Sequence, residues 1–343
     1  MIKGGKEMST NETLLLTQSE VKDLISVHEI NQLIDQTYQG FGEGTVKNPA
    51  KVTLDLGETG NWPHYEGFMN AMPAYVGFQD IAGQKWVGGF LGERKEAGLP
   101  YITALNLLID PHLGNFLSVM DGSFISNMRT GAQAAVSIDY LKQKDSITLG
   151  LYGAGKQART AVIAIAEKLS IDELIVWNHH KETALTFKED MKDIVQGQII
   201  VCEEDEPEKP TKADFIITLT PSQTPLIQTE WIQPGTVVLP MGSFQEIEDD
   251  LILKADKIIV DHVVQTLHRG VLKSLHEEGK INEEDIYATI GEIANHKKTL
   301  KNIKNEITIC IPLGTGALDV AIAAEVYKKA KAQNIGTPFN FLA

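Results

Sequence analysis

One stretch constrains this chain more than any other. Residues 147–162 read ITLGLYGAGKQARTAV, an apolar run that leads straight into Gly153-Ala154-Gly155-Lys156-Gln157-Ala158. The pattern is G-x-G-x-x-A, an accepted variant of the dinucleotide fingerprint, placed where a predicted strand gives way to a predicted helix. Gly153 permits the tight turn, and Gly155 lets the backbone approach a pyrophosphate. Ala158 is small enough for the helix to lie close on the strand. The helix start offers unpaired N–H groups and a positive dipole end to phosphate.

The surrounding pattern agrees. After an alanine-rich helix, Gly131 to Lys142, short apolar runs alternate with amphipathic segments. The runs are 147–152, 173–177, 198–202, 214–220, 236–241 and 257–260, with 307–311 near the end. Buried strands alternating with helices predict a parallel α/β sheet. The first third is different. Ser19 to Tyr38 has helical periodicity, with Ser19 as N-cap and Gly40 to Gly44 as the stop. Runs at 52–56, 68–74, 85–90 and 101–109 are broken by glycine and proline, as in a mostly antiparallel sheet. A long closing helix, Gly316 to Ala332, is expected to pack back on this first region. The fold expected is therefore α/β: a Rossmann domain over 131–314 and a discontinuous α+β domain made of 1–130 with 315–343. A length of 343 residues suits two domains.

Composition removes several classes. The net charge is −15, against the basic surface that nucleic-acid binding needs. The two cysteines, Cys202 and Cys310, are too few and too far apart for a disulfide scaffold. No apolar run reaches the ~18 residues of a membrane span, and Met1 to Thr10 lacks a signal core. The expectation is a cytoplasmic protein with no membrane partner. The nine histidines show no metal-ligand spacing, and no G-x-S-x-G elbow occurs. No metal is expected.

The strand after the fingerprint ends Val176-Trp177-Asn178-His179-His180-Lys181, without the carboxylate that usually binds the ribose 2′-hydroxyl of NAD. Asn178 can still bond a ribose. His179, His180 and Lys181 suit a 2′-phosphate, so the reading is NADP or NAD with NADP slightly favoured. Thr218-Leu219-Thr220-Pro221-Ser222 and Met241-Gly242-Ser243 follow later strands at the sheet edge where ligands bind. The acidic run Glu203 to Glu208 reads as a solvated loop.

The order of segments resembles the ornithine cyclodeaminase/mu-crystallin family. The likeness is carried by Met72-Pro73-Ala74-Tyr75, Lys85-Trp86-Val87, Gly98-Leu99-Pro100, Met120-Asp121-Gly122 and Arg129-Thr130-Gly131-Ala132. The fingerprint, Ala213-Asp214, Met241-Gly242-Ser243 and the run from Leu313 to Asp319 complete it. The resemblance implies a substrate-binding and dimerisation domain, a Rossmann domain, and an active site in the cleft between them. It implies a homodimer acting on a small α-amino or α-imino acid. By the family pattern Lys51, Lys85 and Arg129 hold the substrate carboxylate, which orients Cα for hydride transfer, and Lys85 or a water gives the proton. Thr130 and the fingerprint residues Gly153, Ala154, Gly155, Lys156 and Gln157 contact the pyrophosphate. Asn178, His179 and His180 face the adenosine ribose. Leu219, Thr220 and Met241 line the nicotinamide side, and Leu313 and Gly314 close the pocket.

Two departures matter. Phe244 stands where cyclodeaminases carry a catalytic aspartate, and Asn70 stands where they carry a glutamate. Without those acids the second amine of ornithine has no partner. Phe244, and with it Tyr101, suit a neutral substrate. The expected function is NAD(P)-dependent reduction of an α-imino acid, or the reverse amino-acid dehydrogenation. The alternatives are an ammonia-releasing cyclodeaminase and a crystallin-like protein that binds NADP and a small ligand without turnover.

Overall fold

The computed structural model of the chain describes residues 12–57, 62–242 and 244–341. Residues 1–11, 58–61, 342 and 343, and Ser243 lie outside that range. The chain divides into two compact units. One contains residues 12–26, 44–126 and 316–341; the other contains 27–43 and 127–315.

The first unit is built on an eight-stranded sheet. Its strands are β1 (Glu12–Leu16), β2 (Val46–Lys47), β3 (Val52–Asp55), β4 (Gly67–Val76), β5 (Ile81–Phe90), β6 (Ile102–Ile109), β7 (Phe116–Asp121) and the closing strand Thr337–Asn340. The order runs from the closing strand through β1, β7, β6, β5 and β4 to β2, with β3 also on β4. Every pairing is antiparallel except β1 with β7. Helix Gly316–Gln333 packs on β4, β5 and β6. It gets close because its N-terminal half is small. A Cβ at Gly316 would stand 2.4 Å from the Met72 carbonyl oxygen, and one at Gly83 would stand 3.2 Å from Val320. Strand register lines up the covered face in rows. Met72, Lys85, Asn106 and Met120 form one row; Asn70, Val87 and Ala104 form the next.

The second unit carries β8 (Ser146–Tyr152), β9 (Ser170–Trp177), β10 (Gln198–Val201), β11 (Phe215–Thr218), β12 (Val237–Pro240), β13 (Lys257–Val260), β14 (Ala288–Thr289) and β15 (Thr308–Ile311). They pair in parallel in the order β10-β9-β8-β11-β12-β15-β13-β14. The order reverses between β8 and β11, which is the switch point where such sheets bind ligands. In β11, β12, β13 and β15 every residue is buried, as strands covered on both faces must be.

The expected single helix from Ser19 to Tyr38 is two helices, Gln18–Leu24 and Val27–Glu43. Thr17, not Ser19, caps the first, in a reciprocal box with Glu20. Ile25 is extended and breaks the run. The second helix passes through Gly40 and Gly42 instead of stopping there. Gly42 serves close approach: a Cβ would meet the Gly291 carbonyl oxygen at 2.1 Å. This helix belongs to the second unit, where Asn31 donates to the Ala164 carbonyl at 2.9 Å and Asn295 donates to that of Gln39 at 2.7 Å. The expected boundary, which gave 1–130 to the first domain, is corrected by that helix. Periodicity reports a buried face without saying which core buries it.

Candidate active site

The fingerprint forms a phosphate cradle. Gly153 has φ +96°, and a Cβ there would meet the Leu219 carbonyl oxygen at 2.8 Å. A Cβ on Gly155 would meet nothing within 4 Å, so the approach to the backbone is open at that point. Gly155 is the N-cap of helix Lys156–Lys168 and gives it no side-chain cap, which leaves the first-turn amides for an anion. Lys156 and Gln157 are exposed at this start, and Ala158 is fully buried beneath it. Thr130 is buried on helix Ser123–Leu141, next to Gly131, where a Cβ would strike the Thr160 carbonyl oxygen at 2.2 Å. The donor set and the open glycine fit a dinucleotide pyrophosphate.

Asn178 directly follows β9 and braces the cradle. Its Oδ1 accepts from the Ala154 amide at 3.1 Å and its Nδ2 donates to the His180 carbonyl at 2.9 Å. His179 and His180 are exposed beyond it. Leu219, Thr220 and Met241 lie just past the carboxyl ends of β11 and β12, at the sheet edge where such folds bind ligands.

A residue that the sequence did not single out holds those two ends together. The Glu246 carboxylate is fully buried. It accepts from Thr218 Oγ1 at 2.6 Å, the Thr220 amide at 2.7 Å, Thr220 Oγ1 at 2.8 Å and the Gly242 amide at 2.7 Å. Burial pushes its pKa up, and those bonds pull against the rise. Phe244, two residues before it, is half-buried.

Arg129 is half-buried, with Nη1 donating to Gln133 Oε1 at 2.9 Å. Gln133 in turn donates to the Pro312 carbonyl. Gly314, at φ +86°, is required here: a Cβ would sit 2.0 Å from Arg129 Nη1. Its amide donates to buried Asp261 at 2.5 Å and its carbonyl accepts from Gln265 at 2.9 Å. Leu313 faces Gly270. The turn at 312–314 and the guanidinium are thus fixed together. Asp261 and Gln133 had no signal beyond residue type.

In the first unit Lys85 is 1% exposed, and its Nζ lies 2.7 Å from Asp319 of the closing helix, which is 0% exposed. Ser126 Oγ is 3.4 Å away. A lone acid in the apolar run Gly316–Ala324 was the available signal for Asp319. Asn70 is buried, and its Oδ1 accepts from Thr53 Oγ1 at 2.7 Å. Lys51 stands just before β3, two strands from Lys85, and is half-buried. Tyr101 lies against Gly89, partly exposed. Among the described residues no group of three His, Cys, Asp or Glu side chains could hold a metal.

The profile of the ornithine cyclodeaminase/mu-crystallin family matches residues 11–334, and the chain belongs to that family. It is 33% identical over 334 residues to the alanine dehydrogenase of Archaeoglobus fulgidus, covering 96% of this chain and 99% of that one. Among solved structures, an archaeal alanine dehydrogenase dimer with bound NAD is 32% identical, with a TM-score of 0.88 over 96% of this chain and 100% of that one. The Thermococcus litoralis Δ1-pyrroline-2-carboxylate reductase, in complex with NADH and L-proline, is 30% identical, with a TM-score of 0.86 over 95% and 99%. This chain is an oxidoreductase that uses NAD or NADP on CH–NH2 and C=N groups.

Proposed function

We propose that the enzyme reduces an α-imino acid with a neutral side chain, or runs in reverse as a dehydrogenase of the matching amino acid. The observation that carries this reading is Asn70. It is buried and bonded to Thr53 at the position where an amine-binding glutamate is expected of a cyclodeaminase. Phe244 at the aspartate position supports it, as do the neutral alanine and L-proline named for relatives.

Arg129 binds the substrate carboxylate. Its guanidinium is held by Gln133 and backed by Gly314, so the donor fork is set before substrate arrives. Lys85 is the second carboxylate ligand and holds, at Nζ, the proton for the substrate nitrogen; Asp319 compensates its charge. Lys51 is a third, weaker contact. The cradle of Gly153, Ala154, Gly155, Lys156, Gln157 and Thr130 holds the pyrophosphate, and Asn178 supports the ribose end. Leu219, Thr220, Met241, Leu313 and Gly314 border the nicotinamide. Bound NAD(P)H supplies hydride to the imine carbon.

The active species is proposed to be a homodimer. The outer face of the first sheet carries Val52, Leu54, Trp86 and Leu105 at 69, 57, 49 and 47% exposure, an apolar area that a monomer rarely leaves open. A second copy of this face would cover it, in keeping with the dimeric alanine dehydrogenase. No helix of the described residues is long and apolar enough to cross a membrane. The two buried free thiols suit a reducing cytoplasm.

The test is absorbance at 340 nm with NADH and NADPH, against 2-oxo acids with ammonia or methylamine and against cyclic ketimines. Oxidation that requires both oxo acid and amine, or a ketimine, is expected. A cyclic product with ammonia release and no net nicotinamide change would instead establish the cyclodeaminase. Tight cofactor binding with no turnover would establish the binding protein.

A further inference from the structure

Of the basic side chains that suit a 2′-phosphate, the two histidines, His179 and His180, are exposed and lie against each other, whereas the full cation, Lys181, is already committed. Lys181 Nζ lies 2.5 Å from Glu203 Oε1, and the Lys181 amide donates to Glu204 Oε1 at 3.0 Å. That amide belongs to the first turn of helix Lys181–Met191, the point at which a helix dipole attracts an anion. A carboxylate of this chain therefore occupies the place at the helix start that a 2′-phosphate would need. The loop bearing it is exposed yet tethered. Trp177 Nε1 donates to the Glu204 carbonyl at 3.1 Å, the Cys202 amide donates to that of Val176 at 2.9 Å, and the Glu203 amide donates to Glu206 Oε2 at 3.1 Å. Arg159, a further cation on this side, is turned to Asp190 at 2.5 Å and to the Ala154 carbonyl at 2.6 Å.

We propose that this acid-filled helix start makes the enzyme select NADH over NADPH, with Glu203 and Glu204 as the specificity-determining residues. The proposal rests on the dinucleotide reading of the fingerprint and replaces the sequence-based lean to NADP. A 2′-phosphate brings about two negative charges beside carboxylates that its binding would have to displace or repel. An NAD ribose brings none, and its hydroxyls can donate to those same carboxylates. One like-charge contact at ~6 Å under an intermediate effective dielectric of ~40 corresponds to about a tenfold affinity difference.

The experiment is equilibrium titration of the purified enzyme with NADH and with NADPH, read as energy transfer from protein tryptophan to bound nicotinamide, at low and at high salt. NADH is expected to bind at least about tenfold tighter at low salt, and the gap narrows as salt screens the loop. The double variant Glu203→Gln/Glu204→Gln keeps side-chain size and is expected to raise NADPH affinity about tenfold relative to NADH. Asp190→Asn frees Arg159 without touching the acidic loop and moves the ratio the same way by a smaller factor. That variant keeps the test open if the double variant fails to fold. Equal or tighter NADPH binding, or a gap that neither folded variant changes, overturns the proposal. Binding of neither dinucleotide overturns the reading of the fingerprint itself and the preference with it.

Discussion

The two sheets solve the burial problem differently. In the second unit β11, β12, β13 and β15 are buried at every residue, and their sequences are near-continuous apolar runs. In the first unit β5 alternates: Lys85 is buried under helix Gly316–Gln333 while Trp86, its neighbour, is about half exposed on the other face. A sheet closed on both faces has only its strand ends for function. A sheet closed on one face has the covered side for an internal polar site and the open side for a partner. Alternation is thus informative twice over, because each face has its own task.

Asp319→Ala strikes the one-sided sheet at its covered face and is expected to have the largest effect on stability. It removes the carboxylate that faces the buried Lys85 charge, at a cost of about 3–5 kcal/mol by chemical denaturation. A cost below about 1 kcal/mol would mean that water reaches Lys85 and that the face is not closed. Ile216→Ala, in β11, deletes apolar volume in the two-sided sheet and is expected to cost about 2–5 kcal/mol. Trp86→Glu sharpens the contrast. It is expected to convert the proposed dimer to monomer in sedimentation velocity while costing the isolated protomer less than about 1 kcal/mol. A monomeric parent would remove the partner from the comparison.

Chemistry discriminates more finely. Burial pushes the Cys202 thiol up to about 11 and moves Cys310 in the same direction, so neither is expected to react with a disulfide reagent at pH 8 until the protein unfolds. Fast labelling of Cys202 alone would show that the β10 edge opens locally. Asp214 is the smallest case. Burial raises its pKa, but the Thr148 amide at 3.1 Å and Lys144 at 3.0 Å outweigh it and hold the carboxyl below its usual range. The folded pKa is the lower one, so its contribution is present above the unfolded value of ~3.9 and is lost as pH falls through the folded value. The stability deficit of Asp214→Asn should therefore shrink towards zero in acid.

Much of this was legible in the sequence because the responsible interactions are local. The strand–glycine–helix order of 147–162 dictates its own geometry, and the apolar runs from 198 to 260 could only be covered strands. The runs at 52–56, 68–74, 85–90 and 101–109 gave the antiparallel sheet for the same reason. What stayed hidden depends on distant partners. Glu246 reads as one acid among several in a loop until Thr218, Thr220 and Gly242 converge on it. Helix Val27–Glu43 shows one apolar face, but nothing local reveals that Ala164 and Gly291 lie against it. Lys181 reads as a free cation for the same reason: its acid is twenty-two residues away.

The pairing of Lys85 with Asp319 has a consequence for how the chain is made. The two residues are 234 positions apart, and the helix that brings the aspartate is translated only after residues 127–315. At ~5–20 residues per second, between about ten and fifty seconds separate the two residues on the ribosome. During that interval the covered face of the first sheet, with its ammonium group, has no lid, while the whole of 127–315 is being synthesised. The nascent chain therefore holds its first sheet in waiting until helix Gly316–Gln333 arrives.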